Sequence, residues 1–383
     1  MNIIINTLSL KNSLQDIMGV VNKDLSTPIL SHVLIEKNDG FISITGTDLQ
    51  VQITTTTKYK EADDFEPITV SGRKLYEIVK SLDQQEVSLS TSKTRLTLRT
   101  RNSTFKFSTL PATKFIPLDA HKATESFKIN EKQLLDLLTK TSFSMATNHD
   151  VRFILCGLLL VISPNALTAV ATDAHRLAIS SIALEKKQIN NTSCILPRKA
   201  ALELIRVLQG NNDVKVSVGA GQISFKLKGL CFVSKLMDGK FPAGYKNVIP
   251  DAAGINILLE KQKIRAALQR VSILANEKFK GVRVEATKKT IVLSSENPNQ
   301  EEAKETLEHK AANPDRKKIN AGFNSSYLIE AINACVGDQV VIGLNGPKEN
   351  QEQDKEKKTK EEGTLIYSPS DNSTRYVVMP YKI

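Results

Sequence analysis

Alternating apolar and polar positions dominate this chain, and stretches with helical spacing interrupt them. Apolar residues recur near every third or fourth position in residues 8–20, and again in the stretch that begins at residues 71–74. Such spacing gives a helix one apolar face and predicts a helix in each stretch. The surrounding segments alternate with a period of two, which is typical of half-buried strands. The order then recurs twice, which predicts two helices and about eight short strands in each third of the chain.

Two strand-like runs joined by a Thr-Asp pair occur twice in the sequence. Thr47-Asp48 recurs as Thr172-Asp173, 125 positions later (172 − 47 = 125). Arg73-Lys74 recurs as Arg198-Lys199 at the same offset, where the second helix of each copy is predicted to begin. Asn297-Pro298 takes the position expected for a third Thr-Asp pair. The chain therefore contains an internal duplication with a third, more diverged copy, and repeats of this size are whole domains.

We predict three tandem domains of one fold, at residues 1–125, 126–252 and 253–383. The fold class is α+β, with two helices covering largely antiparallel sheets in each domain, because the order of elements has no βαβ rhythm. Between the last two hairpin strands, residues 348–362 mix both charge signs and contain no apolar residue. Such a segment cannot bury enough surface to order itself, so it predicts a solvated hairpin extension. A specific binding tail is the alternative.

Composition narrows the class of protein. The formal net charge of +11 and the pI near 9.3 are typical of proteins that contact nucleic acid or anionic lipid. A basic proteome would produce the same charge without any ligand. The four Cys lack metal-ligand spacing and predict buried, reduced thiols; with no signal peptide in the sequence, we expect a cytoplasmic protein. The longest apolar run, residues 153–162, is too short to span a membrane and predicts one buried strand.

The sequence contains none of the common catalytic motifs. It has no nucleotide-binding glycine motif, no zinc-protease motif and no metal-binding Cys pair, so we expect no enzyme activity, no cofactor and no metal. Asp173 with His175 suggests a hydrolase triad as one alternative, but no Ser lies in a nucleophile elbow. A sequence-specific DNA-binding protein is the other alternative, and no helix-turn-helix or zinc-finger pattern supports it.

Basic residues repeat with the copies. Arg73-Lys74 and Arg198-Lys199 begin equivalent helices, and other Lys and Arg residues lie on the remaining predicted helices. If the equivalent helices of the three repeats lie on one side of the protein, their basic residues would form a surface that binds phosphates without recognising the base sequence. Ordinary solvated helix faces are the alternative.

Several longer motifs occur in a fixed order along the whole chain. They are Thr45-Gly46-Thr47-Asp48, Ala171-Thr172-Asp173-Ala174-His175-Arg176-Leu177, Pro197-Arg198-Lys199, Asn276-Glu277-Lys278-Phe279 and Tyr376-Val377-Val378-Met379-Pro380. In these motifs the chain resembles the β sliding clamps of bacterial DNA polymerase III. The resemblance implies three like-folded domains per chain and a head-to-tail dimeric ring, a homodimer, around double-stranded DNA. It also implies a scaffold without catalytic activity that tethers the DNA polymerase III catalytic subunit, is loaded by the clamp loader, and serves other DNA polymerases and repair proteins.

The resemblance implies a pocket for short linear peptides between the second and third repeats. It maps onto Leu155, Thr172, His175, Arg176, Leu177, Pro242, Val248, Val377, Met379, Pro380 and Tyr381. Aliphatic and Met side chains suit an adaptable apolar pocket. The chain departs from the family pattern at three positions: Ala174 replaces a usual Gly, Asn247 replaces a common Arg, and Tyr381 follows Met379-Pro380.

The resemblance also implies a ring joint between the first and third repeats of two copies. The residues expected there are Lys74, Arg99, Arg101, Phe105, Phe107, Ile273, Leu274, Glu296, Glu301, Glu302 and Glu305. The residues expected to contact DNA are Lys23, Arg73, His149, Phe153, Arg198 and Lys199.

Overall fold

The computed structural model describes residues 2–21, 27–62, 65–92, 94–119, 122–147, 150–185, 190–250, 255–311, 319–345 and 362–381. Most of the predicted charged extension lies outside these residues, as do Lys23 and His149. The chain divides into two compact units. Unit 1 comprises Met1–Leu135, Lys186–Asn190 and Lys199–Asp238, and unit 2 comprises Asp136–Glu185, Asn191–Arg198 and Gly239–Ile383.

The helices of the described residues begin where the sequence predicts them. They are α1 (Thr7–Ile17), α2 (Gly72–Lys80), α3 (Glu131–Ser142), α4 (Arg198–Val207), α5 (Lys261–Ser272) and α6 (Ser325–Ala334). Asn side chains cap three of them. Asn6 Oδ1 accepts a hydrogen bond from the Ser9 N–H at 3.0 Å, and Asn130 Oδ1 accepts one from the Lys132 N–H at 3.0 Å. Asn324 does the same at α6. Each cap satisfies N–H groups that the helix leaves unpaired.

Unit 1 contains one antiparallel sheet of twelve strands. Its strands are β1 (Asn2–Asn6), β2 (His32–Asn38), β3 (Phe41–Thr47), β4 (Val51–Ala62), β5 (Ile68–Ser71), β6 (Glu86–Ser92), β7 (Arg95–Arg99), β8 (Thr104–Pro111), β9 (Ala123–Asn130), β14 (Asp213–Gly219), β15 (Gln222–Leu227) and β16 (Leu230–Lys235). Their order is β1-β6-β7-β8-β5-β2-β3-β4-β16-β15-β14-β9, and β1 also pairs with β4. The first eight strands thus close on themselves, and β16 extends the sheet by pairing Phe232 with Ile53.

Unit 2 contains two antiparallel sheets. The strands of the larger sheet are β10 (Gly157–Ser163), β11 (Ala166–Thr172), β12 (Arg176–Ala183), β13 (Thr192–Pro197), β17 (Ile255–Glu260), β21 (Lys310–Ala311), β23 (Gln339–Leu344), β24 (Thr364–Tyr367) and β25 (Thr374–Val378), in the order β13-β10-β11-β12-β25-β24-β23-β17-β21. The smaller sheet has the order β20-β19-β18-β22 and comprises β18 (Gly281–Ala286), β19 (Thr290–Glu296), β20 (Glu302–Glu308) and β22 (Ile319–Asn324). Helix α5 packs against α6 and against this smaller sheet.

The cores are mainly aliphatic, as the absence of Trp predicts. In unit 2, Ile264 and Leu268 of α5 are buried together with Val284 and Leu293 of the smaller sheet. In unit 1 an added Cβ at Gly46 would collide with the buried side chain of Ile17. Truncation of such a fully buried aliphatic side chain to Ala costs about 2–5 kcal/mol. No helix of the described residues combines the length and the apolar character that crossing a membrane requires.

The duplication extends to short 3-10 turns that the sequence pattern did not predict. Pro28–Ser31 and Phe153–Cys156 both form such turns, and 153 − 28 is again 125. The prediction of one strand over residues 153–162 is therefore wrong at its start. The Leu155 N–H donates to the Arg152 carbonyl at 2.8 Å, which turns the chain before β10 begins at Gly157. An apolar run does not distinguish a strand from a turn with the same residues.

Candidate functional site

The Thr-Asp pair of the second repeat builds a tight turn between β11 and β12. Thr172 Oγ1 donates to the Arg176 carbonyl at 2.6 Å and accepts a hydrogen bond from the Ala174 N–H at 3.0 Å. Asp173 Oδ1 accepts from the N–H groups of His175 and Arg176 at 2.9 and 3.0 Å. All of these bonds satisfy backbone groups of the turn itself. The pair is a turn-forming motif, and its conserved chemistry explains why it recurs within the chain.

The first repeat has the same turn. Thr47 Oγ1 donates to the Val51 carbonyl at 3.0 Å, and Asp48 Oδ1 accepts from Gln50 and Val51 at 2.9 and 2.7 Å. The second carboxylate oxygen of Asp48 pairs with the ammonium of Lys199. In each of these two turns, therefore, one carboxylate oxygen caps the backbone and the other holds a basic side chain.

The third repeat uses Asn297 in place of the Asp, so the predicted alignment of Asn297-Pro298 with Thr-Asp is wrong by one residue. Strand β19 ends at Glu296, as β3 ends at Thr47. Asn297 Oδ1 accepts from the Asn299 and Glu301 N–H groups at 3.0 and 3.1 Å, and its Nδ2 donates to Glu301 Oε2 at 2.6 Å. Because an amide donates where a carboxylate accepts, this turn holds an acidic side chain and not a basic one.

Ala174 has a left-handed backbone conformation, with φ of 73°. Leu49, 125 positions earlier, has φ of 69° in the equivalent turn. A residue with a Cβ loses about 1–2 kcal/mol in this conformation relative to the right-handed region, which Gly tolerates without strain. Ala174, which replaces the usual Gly, therefore keeps the geometry of the turn but strains its backbone.

An apolar cavity of about 200 Å³ lies in unit 2 beside this turn. Strand pairing between β12 and β25 places Leu177 opposite Val377 at its centre. The lining residues are Leu155, Thr172, Ala174, Arg176, Leu177, Pro242, Gly244, Tyr245, Val248, Val377 and Met379. We call this space the clamp cavity. Its walls come from four segments of the chain: two 3-10 turns, the β11–β12 turn with β12, and the segment at the end of β25.

Eight of the residues predicted for the pocket line the clamp cavity, whereas His175, Pro380 and Tyr381 do not. His175 is exposed, and its carbonyl accepts a hydrogen bond from the Met379 N–H at 2.8 Å. The Tyr381 N–H donates to the Gly322 carbonyl at 2.9 Å, and its hydroxyl donates to the Phe279 carbonyl at 3.1 Å. These bonds attach the end of the described chain to the smaller sheet of unit 2, beyond the cavity wall.

The sequence prediction did not include Ala174, Gly244 and Tyr245 among the lining residues. The last two belong to a 3-10 turn, Ala243–Val248, that forms one wall of the clamp cavity. The Phe241 and Tyr245 rings pack edge to face with centroids 5.9 Å apart, which orients Tyr245. In the sequence, Phe241 and Tyr245 flank a Pro and a Gly, and this pattern could have indicated the wall.

An exposed loop precedes the cavity wall. Val151 and Phe153 are 94% and 62% exposed. Arg152 donates to both carboxylate oxygens of Asp150, from Nε at 3.0 Å and from Nη2 at 2.9 Å, and Nη2 also donates to the Asp173 carbonyl at 3.2 Å. Hydrogen bonds from the side chain and the backbone of Arg152 lower the pKa of Asp150 to about 2. The ion pair holds a loop that presents two apolar side chains to solvent.

The residues predicted to contact DNA differ in their surroundings. Arg73 is exposed at the start of α2, and Phe153 is exposed as described above. Arg198 donates from Nη1 to the Met145 carbonyl at 3.1 Å, and Lys199 is paired with Asp48. Two of the predicted phosphate contacts are therefore already occupied within their own units, and the DNA-binding surface stays a prediction.

The residues predicted for the ring joint also fall into two groups. Ile273 is 77% exposed, and Lys74, Arg99, Arg101, Glu296, Glu301 and Glu302 are exposed. Phe105 and Leu274 are half-buried. Phe107 is only 7% exposed in unit 1, and Glu305 pairs with Arg270 of its own unit, with Nε 3.1 Å from Oε2. The ring joint stays a prediction, with Phe107 largely buried and Glu305 paired within its own unit.

Within the described ranges, no three His, Cys, Asp or Glu side chains are grouped so that they could hold a metal ion. Burial raises the pKa of the Cys194 and Cys335 thiols to about 12, so both thiols stay protonated and poorly nucleophilic.

Comparison with known proteins places this geometry in a family. Sequence profiles of the DNA polymerase III beta subunit match three consecutive parts of the chain: the N-terminal domain at residues 1–119, the central domain at 128–243 and the C-terminal domain at 246–382. The predicted fold of three tandem clamp domains is thereby confirmed.

Curated relatives and solved structures agree with these profiles. The chain is 32% identical to the beta sliding clamp of Pseudomonas putida over 385 residues, which cover 100% of both chains. It is 32% identical to that of Escherichia coli K12 over 372 residues, 97% of this chain and 96% of the relative. A DnaN sliding clamp (DNA polymerase III subunit beta) from Pseudomonas aeruginosa, crystallised with griselimycin, superposes with a TM-score of 0.92 at 32% identity, over 100% of both chains. The chain therefore belongs to the DNA polymerase III beta subunit family, the beta sliding clamps.

Proposed function

We propose that this DNA sliding clamp works as a head-to-tail homodimeric ring around double-stranded DNA and holds its partners through the clamp cavity. Its partners are the DNA polymerase III catalytic subunit, the clamp loader, and other DNA polymerases and repair proteins, each bound through a short linear peptide. The ring confers processivity on the polymerase as a non-catalytic cytoplasmic scaffold. Its three domains span residues 1–125, 126–252 and 253–383.

The clamp cavity is the observation that carries the peptide-binding proposal. Leu155, Leu177 and Val377 are buried at its base, whereas Val248 on its rim is 39% exposed. A peptide end with Leu or Phe would fill this apolar space, and a Gln would bind to backbone and rim groups. A short peptide has few atoms and loses conformational freedom when it binds, so micromolar affinity is the expected scale. Such affinity lets many partners exchange at one site.

Two open strand edges support the homodimer. Among the described residues, strand β20 lies at the edge of its sheet, and residues 104–108 of β8 pair with β7 on one side only. An edge strand presents unpaired N–H and C=O groups that a second copy can complete. Arg99 and Arg101 next to β8 and Glu301 and Glu302 at β20 carry opposite charges. A heterologous contact of this kind closes into a ring when its rotation allows, which here requires two copies.

The net charge of +11 supports contact with DNA phosphates. Binding before loading should be weak and independent of base sequence, and it should weaken steeply with salt, because phosphate contacts release counterions.

The decisive test is a titration of a labelled hexapeptide that carries a Gln and a Leu-Phe end. Val248→Asp places a charge on the cavity rim without disturbing the core, and we expect it to weaken binding more than about tenfold. Val336→Asp is the matched control, because Val336 is 46% exposed in unit 2 and does not line the cavity. Deletion of residues 379–383 removes the Met379 wall and should also abolish binding. Equal affinities of the wild type and Val248→Asp would place the peptide site elsewhere.

A further inference from the structure

The side chain of Arg176, on the wall of the clamp cavity, donates from each of its three nitrogen atoms to a group of its own unit. Its Nε donates to Asp173 Oδ2 at 3.0 Å, and its Nη2 donates to the Phe143 carbonyl at 2.8 Å. Its Nη1 pairs with the carboxylate of Glu330 on α6. Three of the five N–H donors of a guanidinium are thus directed to acceptors inside unit 2. The side chain is only 11% exposed.

Two aromatic rings flank the same guanidinium. The Arg176 Cζ lies 4.4 Å from the centroid of Tyr327 and 5.5 Å from that of Phe143. Both distances fall within the range of a cation–π contact. Tyr327 and Glu330 are three residues apart on α6, so one face of that helix supplies both a ring and a carboxylate to Arg176.

The charges around Arg176 do not balance. Asp173 and Glu330 supply two carboxylates against one guanidinium, so this wall carries an excess of negative charge that water partly screens at Glu330, which is 46% exposed. Burial raises the pKa of Tyr327, and the charge of Asp173 raises it further, in agreement with a negative local field. Lys246 also lies near the cavity, with its ammonium 6.0 Å from the Tyr245 ring centroid, but Lys246 is exposed and water screens its charge. Arg176 therefore lines the cavity without offering a free cation to a ligand.

We propose that Glu330 determines the charge specificity of the clamp cavity. By pairing with Arg176, it makes the site accept an uncharged apolar peptide end and disfavour a carboxylate. Glu330 does not line the cavity and acts through Arg176, so it is a positioning residue. The inference rests on the proposed peptide binding and adds to it the class of peptide end that the site takes. Without Glu330, one carboxylate would remain against one guanidinium, and Arg176 could turn a donor toward the ligand.

The test uses two labelled hexapeptides that differ only at the end that enters the cavity. Both carry a Gln and a Leu-Phe end; one ends in an amide and the other in a free carboxylate. We expect the wild type to bind the amide about twofold to fivefold more tightly, which is the scale of one partly screened charge pair. In Glu330→Gln, which retains the shape of the side chain, this ratio should fall to about one, and carboxylate binding should become salt-dependent.

Matched variants separate this role from a merely structural one. Glu260→Gln removes a carboxylate that pairs with Lys263 in the same unit, 60% exposed and apart from the cavity, and should leave the ratio unchanged. Glu330→Asp retains a carboxylate and should restore the preference for the amide. A structural role would weaken the binding of both peptides equally. An unchanged ratio of the two affinities in Glu330→Gln would therefore overturn this inference but not the proposed peptide site. If neither peptide binds the wild type, the proposed peptide site falls and this inference with it.

Discussion

Asp48 and Lys199 form an ion pair in unit 1, between the Thr-Asp turn of the first repeat and the start of α4. The Asp48 side chain is 10% exposed and that of Lys199 is 47% exposed. Lys199 is also one of the residues predicted to contact DNA. We therefore expect a phosphate at Lys199 to compete with Asp48, which would reduce the affinity of the clamp for DNA.

Asp48→Asn should strengthen DNA binding. The Asn Oδ1 can still accept from the Gln50 and Val51 N–H groups, so the turn is preserved while Lys199 is released. We expect a rise in affinity of several-fold at low salt and a slope of log K against log salt that is steeper by about one phosphate contact. Fluorescence anisotropy with a labelled duplex measures both. The double variant Asp48→Asn with Lys199→Gln should lose the gain, and persistence of the gain there would exclude Lys199 as its cause.

Ala174→Gly should stabilise the protein. With φ of 73° at this position, removal of the Cβ relieves backbone strain. The greater conformational entropy of Gly in the unfolded chain offsets part of this effect. We expect a net gain in the free energy of unfolding of about 0.5–1 kcal/mol. Urea unfolding followed by circular dichroism gives the change. Ala201→Gly in α4 is the control, because Gly in a helix costs about 1 kcal/mol. A lower midpoint for Ala174→Gly would show that the turn does not carry this strain.

Glu131→Gln should destabilise the protein. The carboxylate of Glu131 is 1% exposed and accepts from the N–H groups of Gln209, Asn211 and Asn212 at 2.7, 2.9 and 2.8 Å. An amide offers one acceptor oxygen and adds a donor, so we expect a loss of about 2–3 kcal/mol. Glu77→Gln, at an exposed position of α2, should change the free energy of unfolding by less than about 0.5 kcal/mol.

The same carboxylate predicts a pH dependence. Burial alone would raise the pKa of Glu131, but the N–H donors of Gln209, Asn212 and Asn211 outweigh it, so the folded pKa is lowered from 4.5. Its contribution to stability is therefore fully present above the unfolded pKa and is lost as the pH falls through the folded one. Unfolding curves from pH 7 downward should converge for the wild type and Glu131→Gln. Curves that stay parallel through the acid range would contradict this assignment.

Ile273→Ala with Leu274→Ala should produce monomers. Ile273 is 77% exposed at the end of α5, and the apolar centre of an interface carries most of its binding energy. Light scattering should report about twice the chain mass of 42.3 kDa for the wild type and the chain mass for the variant. Leu8→Ala, at a residue of α1 that is 62% exposed, serves as the control and should remain dimeric. A wild-type mass of 42.3 kDa at micromolar concentration would refute the homodimer.

The elements of this fold could be predicted from the sequence because their causes are local. Helix α3 begins at Glu131 because Asn130 caps it, and the Thr-Asp turns at Asp48 and Asp173 depend on side chains within four residues of their backbone partners. The repeat at 125 positions is likewise visible in residue types alone, since equal turns need equal side chains. The family resemblance, which the profiles confirm, rests on these same motifs.

The tertiary structure determines which of these residues are available to bind a ligand. Leu177 and Val377 lie side by side in one cavity because β12 pairs with β25 across about two hundred positions, a contact that no local pattern encodes. Whether a charged side chain is free to bind a ligand depends on neighbours that are remote in the sequence. Lys199 meets Asp48, and Arg176 meets Glu330, only after the sheets and helices have packed. Residue type and spacing reveal what a side chain can do, whereas packing determines whether a partner within its own unit already occupies it.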